Sequence, residues 1–442
     1  MTISSVLFLI AFAGAVWWFT RNVRRIRRNI LLGRDEQIND RKAERWATMA
    51  RVALGQSKMV VRPVAGTLHI LVYAGFVIIN IEVLEIIIDG IFGTHRVFSF
   101  LGGLYGFLIG SFEVLALLTW LACAIFLIRR FILRIPRFWS REMTEWPRTD
   151  AGLILAFEIL LMSAFLLMNA ADHTLQGMGA EHYVKAGAFP VSAVLASWLG
   201  MAGMEPATLM GIERFCWWFH IIGILGFLNY LPYSKHFHII LAFPNVWYSK
   251  LKPKTEMDNM PRITAEVKSM MDPSIPPPAP PAEPANGFPP EHFGAKDVFD
   301  LSWKSLMDAY TCTECGRCTS VCPANITGKL LSPRKVVMDT RDRLEEVGKV
   351  LDKNNGKWVD DGKDLFSRIT DEELWACTTC NACTQACPVN IDPVRIILDM
   401  RRFLVMEESK PRQELNAMFT TIENNGAAWA YGPDKRMDWV KE

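Results

Sequence analysis

The sequence predicts an all-α protein in two parts: a bundle of five transmembrane helices, then a helical cytoplasmic domain. Three observations predict it. Half of the 442 residues are hydrophobic, and five apolar runs reach the roughly 20 residues that a span requires. Lys and Arg are distributed very unevenly between the connecting segments, although the net charge is only +2. Eight of the ten cysteines fall in two copies of Cys-x2-Cys-x2-Cys-x3-Cys-Pro, CTECGRCTSVCP at 312–323 and CTTCNACTQACP at 377–388. Clustered thiols with no disulfide-type spread argue for metal ligation in a reducing compartment.

The expected spans are 3–20, 64–92, 102–128, 151–171 and 210–243. The first is followed directly by RNVRRIRRN and preceded by no positive charge. That order suits an uncleaved anchor with its N-terminus outside. Segment 21–62 carries twelve Lys/Arg and 129–149 carries six, whereas 93–101 and 172–209 carry one each, Arg96 and Lys185. The positive-inside rule then puts the C-terminal part in the cytoplasm of a bacterial cell, below the inner membrane. The basic segment 21–62 reads first as a topology signal attracted to anionic lipid, and second as a docking face for a soluble partner. Cys123 and Cys216 lie in apolar runs and read as core residues.

Histidines within spans are costly and mark functional sites by default, the alternative being a ring hydrogen-bonded to a neighbouring helix. His220 and His238 are 18 residues apart, five turns of one helix and roughly 27 Å along its axis. His69 lies about two turns inside Arg62, at the same depth as His238. Two histidines at one depth on different helices can take both axial positions of a b-type haem. The final span, WWFHIIGILGFLNYLPYSKHFHIILAFP, resembles the five-helix cytochrome b subunits of the nitrate reductase gamma type. It is more similar still to the membrane subunits of heterodisulfide-reductase-like complexes. Their His followed by Pro-x-Ser-Lys-x-x-His is matched by His220, Pro232, Ser234, Lys235 and His238. The stretch LGQSKMVVRPVAGTLHILVYAGF is similar to the one that carries the inner ligand, here His69. The resemblance implies a haem on His69 and His238. Dihaem members carry a second histidine where this chain has Ile79, which leaves His220 without an obvious partner. His173 is a substitute that lies near the surface. One haem is expected, two if His220 finds a partner; no haem is the remaining alternative. His236 is off the motif, and His95, His182 and His292 read as solvated loop residues.

Carboxylates also fall in the spans: Glu82, Glu85, Asp89, Glu113 and Glu158. They face the bundle or water rather than lipid, either for proton exchange at a quinone site or as interhelical hydrogen-bonding groups.

Domain boundaries follow composition: 1–250 membrane domain, 251–296 linker, 297–442 cysteine domain. The run PSIPPPAPPAEPANGFPP excludes helix and sheet and predicts a polyproline-rich spacer. Around the cysteines, SPRKVVMDTRDRLEEVGKVL and DPVRIILDMRRFLVMEE have helical periodicity. In each motif three cysteines wrap one cluster, and the fourth, before Pro, reaches to the other. One 4Fe–4S cluster therefore takes Cys312, Cys315, Cys318 and Cys387. The second takes Cys377, Cys380, Cys383 and Cys322. Structural zinc needs neither the third cysteine nor the trailing Cys-Pro. The spacing with helices between resembles the α-helical ferredoxin domains of heterodisulfide reductases, over roughly 305–405. The tail ENNGAAWAYGPDKRMDW resembles the segment before the CCG modules of fused relatives, which implies that such a module is a separate polypeptide.

No nucleophile, Gly-rich phosphate loop or flavin motif appears, so substrate chemistry is expected in a partner. The expected function is electron transfer between a quinone (menaquinone or ubiquinone), haem b, two 4Fe–4S clusters and a cytoplasmic dehydrogenase or CCG-type protein. The rivals are a membrane ferredoxin for metal handling or redox sensing, without haem or quinone, and a structural anchor.

Overall fold

The computed structural model describes residues 3–279 and 287–441. It is all-α among those residues, its one β feature being an isolated bridge between Arg34 and Ser302. Of the proline run, 280–286 lie outside the described residues.

Five helices are long and apolar enough to cross a membrane, so the chain is a multi-pass membrane protein. They are α1 (Ile3–Ile30), α3 (Pro63–Phe92), α4 (Gly103–Leu127), α5 (Glu145–Met178) and α7 (Pro206–Tyr230), with the short α2 (Lys42–Met49) and α6 (Ser192–Trp198) between them. Pro63 and Pro206 open their helices, where a missing N–H costs nothing. Close approach sets some of the packing. A Cβ at Gly90 would stand 2.7 Å from the ring of Phe8 on α1, and Phe8 is buried.

The last span differs from expectation. A single helix over 210–243 does not form. Helix α7 stops at Tyr230, two tight turns occupy 231–237, and α8 (His238–Trp247) starts afresh. Pro232 cannot donate to the preceding turn. Ser234 accepts from the His236 N–H at 3.0 Å, and Asp150 accepts from the Lys235 N–H at 3.2 Å. His220 and His238 thus do not share one helix face, and the spacing argument built on five continuous turns fails.

Helix α9 (Pro261–Met271) lies within the expected linker. The cysteine domain follows with α10 (Trp303–Thr311), α11 (Pro323–Ile326), α12 (Pro333–Lys353), α13 (Asp371–Trp375), α14 (Ala382–Ala386), α15 (Pro393–Met406) and α16 (Gln413–Asn425). Helices α10, α12 and α15 bury their apolar faces together.

This domain does not hang from the linker alone. One continuous apolar core joins Ile26, Ile30, Phe227, Phe237 and Val246 of the membrane half to Leu306, Val336 and Val347 of the cysteine domain. Beside it, Arg34 N–H donates to the Leu301 carbonyl at 2.8 Å, and Trp303 N–H to the Arg34 carbonyl at 3.0 Å. Gly33 permits that approach, since a Cβ there would lie 2.7 Å from Leu301 O and Trp303 N. Much of the basic segment 21–62 serves this contact. Arg25 and Arg28 pair with Asp352, and Arg62 donates to Ser320 at 2.5 Å. The soluble domain that these arginines meet is the chain's own.

Candidate redox centres

The two cysteine loops are the same turn made twice. Glu314 and Thr379 occupy the same motif position, and both are left-handed (φ 53° and 55°). So do Gly316 and Asn381 (φ 70° and 57°). Left-handed residues at alternating positions curl the backbone around a concavity whose N–H groups face an anion. Where glycine is absent, Asn381 supports its turn by donating to the Thr379 carbonyl at 2.9 Å.

The eight motif cysteines are free thiols. The structure brings Cys387 into charge range of Cys315 and Cys318, and Cys322 into range of Cys377. The fourth cysteine of each motif thus lies within charge range of the other motif's thiols, as Cys383 also does of Cys318. Burial pushes Cys312 up to about 12, Cys383 up to about 12 and Cys387 up to about 11. Such thiols shed their protons on binding a metal, which supplies the missing counter-charge. Among the described residues no three His, Cys, Asp or Glu converge tightly enough for one metal ion. Cys123 and Cys216 are buried in the bundle.

Each set has two buried cysteines, Cys312 and Cys387 in one and Cys322 and Cys383 in the other, and the sets differ in that Cys380 of the second is exposed. Lys58 donates to the Cys387 carbonyl at 3.0 Å, and Arg317 to the Lys58 carbonyl at 2.7 Å.

The histidines meet at the same end of the bundle. His69, His236 and His238 are mutual neighbours, with the rings of His236 and His238 centred 5.2 Å apart. Burial holds His236 and His238 below the usual imidazole range, which keeps their rings neutral and able to ligate. His238 Nδ1 lies 3.1 Å from the Lys235 carbonyl, leaving Nε2 free. His69 Nδ1 is buried with no hydrogen-bond partner. An orphaned buried imidazole nitrogen beside a second, tethered imidazole is the donor chemistry that a haem iron takes. Nothing in the sequence singles out His236; its proximity to His69 depends on the turn at 231–237.

His220 lies apart. Its ring is buried, with Nδ1 3.0 Å from the Leu161 carbonyl and Phe165 at 5.9 Å. His173 packs on Phe189, eight residues and roughly 12 Å along α5 from Phe165.

One contact joins the two kinds of site. Lys235, three residues before His238, pairs with Glu314, which lies between Cys312 and Cys315. Arg341 closes the ion group at 2.8 Å. Burial pushes Glu314 up, but Lys235 and Arg341 outweigh it and hold the carboxyl below its ordinary range.

At the opposite end, most acids are fully engaged. Glu113 accepts from the N–H groups of Val191 (2.9 Å) and Ser192 (3.1 Å) and from Asn169 (3.3 Å). Glu85 accepts from the Phe98 N–H at 2.8 Å and Tyr105 at 3.0 Å. Asp89 accepts from the Arg96 N–H at 2.7 Å. These acids hold loops. Glu82 differs, because its Oε2 is buried with no partner. Glu113→Ala is accordingly expected to destabilise the bundle by about 3 kcal/mol by orphaning its donors. Glu82→Gln should cost less than about 1 kcal/mol, since no partner is lost. Thermal unfolding in detergent reads both.

Comparison with known proteins agrees with the site. The family described as 4Fe–4S dicluster domain matches residues 311–391, which contain all eight motif cysteines. The chain is 29% identical to the probable iron-sulfur-binding oxidoreductase FadF of Bacillus subtilis, over 99% of this chain and 61% of that protein. It is 27% identical to the EtfAB:quinone oxidoreductase of Syntrophomonas wolfei, over 91% of this chain and 55% of that protein. Over 26% of this chain it is 31% identical to one component of a CoB-CoM heterodisulfide reductase of Methanosarcina acetivorans, covering 56% of that polypeptide. The chain is thus a membrane-spanning relative of iron–sulfur oxidoreductases that carries a dicluster domain. It spans about 60% of the length of the first two relatives. No solved structure matches it.

Proposed function

We propose that this protein is the membrane-bound electron-transfer subunit of a quinone-linked oxidoreductase, carrying haem b on His69 and His238 and two 4Fe–4S clusters on the crossed cysteine sets. The observation that carries the reading is the Lys235–Glu314 pair, which ties the His238 turn to the Cys312–Cys315 loop. In this reading the basic end of the bundle is cytoplasmic, as the positive-inside rule requires. Domain 1–250 is the cytochrome b part, 251–296 the linker and 297–442 the ferredoxin part with a tail that docks a partner. The iron groups, when bound, supply one-electron carriers.

The residues do the rest. The Lys235 carbonyl orients His238. The apolar core between the halves excludes water from the space separating the two sites. Exposed Cys380 marks where a soluble partner, a CCG-type protein or a dehydrogenase, would reach the cluster domain. A relative named an EtfAB:quinone oxidoreductase supports a quinone at the membrane end. His220, enclosed by Phe165 and the Leu161 carbonyl, is the candidate for a second haem ligand, and its enclosure favours a structural role.

The test is a pyridine-haemochrome assay on the purified protein and on His69→Ala, His238→Ala and His220→Ala. One haem, lost in both of the first two variants and kept in the third, is the expected result. Two haems in the wild type, with one lost in His220→Ala, would assign His220 as a ligand. No haem in the wild type would sink the reading and leave a membrane ferredoxin.

A further inference from the structure

The two cysteine sets stand in different electrostatic surroundings. Around Cys312, Cys315, Cys318 and Cys387, cations prevail at two of the four thiols, Cys315 and Cys387. At Cys312 the charge of Arg341 is outweighed by that of Glu314. Arg137 and Arg317 act on Cys315, and Arg317 also on Cys387. Lys58 sits on the Cys387 carbonyl. The Cβ of Arg137 lies 3.4 Å from where a Cβ at Gly316 would stand, and its Nε is buried without an acceptor. The carboxylate of this loop, Glu314, is already paired with Lys235 and Arg341. Around the second set the balance is close to neutral. Arg401 donates to the Leu374 carbonyl at 2.6 Å and to the Cys377 carbonyl at 2.5 Å, and acts on Cys377. Asp392 acts on Cys383 and accepts from Thr384 at 3.1 Å.

Resting on the function proposed above, we infer that Lys58, Arg137 and Arg317 give the cluster on Cys312, Cys315, Cys318 and Cys387 the higher reduction potential of the two. Reduction adds one negative charge to a group that is already anionic. Nearby cations stabilise the reduced form, and a nearby carboxylate opposes it. Solvent at Cys380 also favours reduction at the second set. It acts there through orientable dipoles at one thiol, against full charges at two thiols of the first. With both clusters bound, an electron shared between them would rest preferentially on the one held by Cys312, Cys315, Cys318 and Cys387, with no proton or co-reactant needed.

The test is a redox titration of the full-length purified protein, followed by EPR. Two reduction waves are expected, and Cys315→Ser identifies the upper one. Lys58→Met and Arg137→Met should each move the upper wave to more negative potential and leave the lower one in place. Lys58→Arg, which keeps the charge, should move neither. Arg401→Met should lower only the lower wave. If Cys315→Ser perturbs the lower wave, or if Lys58→Met and Arg137→Met leave the upper wave unmoved with iron content intact, the ordering is overturned. A wild-type protein with fewer than two clusters would overturn the underlying function as well.

Discussion

Cys387→Ala is expected to abolish the EPR signal that Cys315→Ala also abolishes, although the two residues belong to different motifs. Cys322→Ala should abolish the signal shared with Cys380→Ala. The physical ground is the crossing. Cys315 acts on Cys387, and Cys318 feels Cys315, Cys312 and Cys387 more than it feels Cys383. Cys377 feels Cys322 and Cys380. Each loop bends through two left-handed residues, a turn suited to wrapping three thiols around one cluster. The residue before proline is held extended and cannot fold back into its own loop. Cys322 and Cys387 have that extended backbone, with ψ 118° and 124°. Iron should fall from about eight per chain toward about four in each fourth-cysteine variant, because a cluster lacking one thiolate is readily lost. Signals grouped by motif, with Cys387→Ala matching Cys377→Ala, would sink the crossed assignment. The effect is among the largest available in this chain, since either loss removes one of the two proposed carriers.

That crossing is an expectation from the sequence, because the motif, four cysteines and a proline within twelve residues, carries its own geometry. The five spans are legible for a similar reason, as each is a local property of about 20 residues. What is not legible is the docking of the two halves. Its contacts pair Arg34 with Leu301, Glu142 with Arg334, Lys235 with Glu314 and Lys58 with Cys387. Each joins positions far apart in the chain, and none follows a period. The arginines of segment 21–62 look like lipid-facing or partner-facing charges, because nothing local distinguishes a solvated arginine from one that meets Asp352. The break at 231–237 is half legible. Pro232 and Ser234 stand out as part of a motif, but the apolar run around them hides their local consequence, the end of α7 and a new helix at His238. The proximity of His236 to His69 is hidden with it.

Arg334→Ala should loosen the docking of the cysteine domain on the membrane half while leaving both halves folded. Arg334 is fully buried, and it is the hub of the contact with the loop between α4 and α5. It donates to Glu142 at 2.7 Å, to the Arg137 carbonyl at 2.7 Å, to the Glu314 carbonyl at 3.3 Å and to Ser140. Ser332 adds a bond to Glu142 at 2.7 Å. Removing one partner of a buried ion pair leaves the other uncompensated, at a cost of about 3–5 kcal/mol. Lysine cannot serve instead, since one ammonium reaches few of these acceptors at once. The apolar core between the halves would remain, so the expected state is a loosened interface rather than an unfolded chain. Limited proteolysis of full-length protein should show new cleavage between 135 and 144, with iron content unchanged. An unchanged cleavage pattern would assign the docking to the apolar core alone. The same pair gives a sign for acid. Burial pushes Glu142 up, but the Arg334 charge and the Ser332 and Arg334 hydrogen bonds outweigh it, so its carboxyl sits below the ordinary range. A depressed carboxyl contributes stability that is complete above its unfolded pKa and is lost as pH falls through the folded one. Docking in the wild type should therefore be full at neutral pH and weaken only below about pH 4. In Arg334→Ala that acid dependence should shrink, because the Arg334 charge and hydrogen bond are lost and only the Ser332 and local backbone hydrogen bonds remain to oppose burial at Glu142.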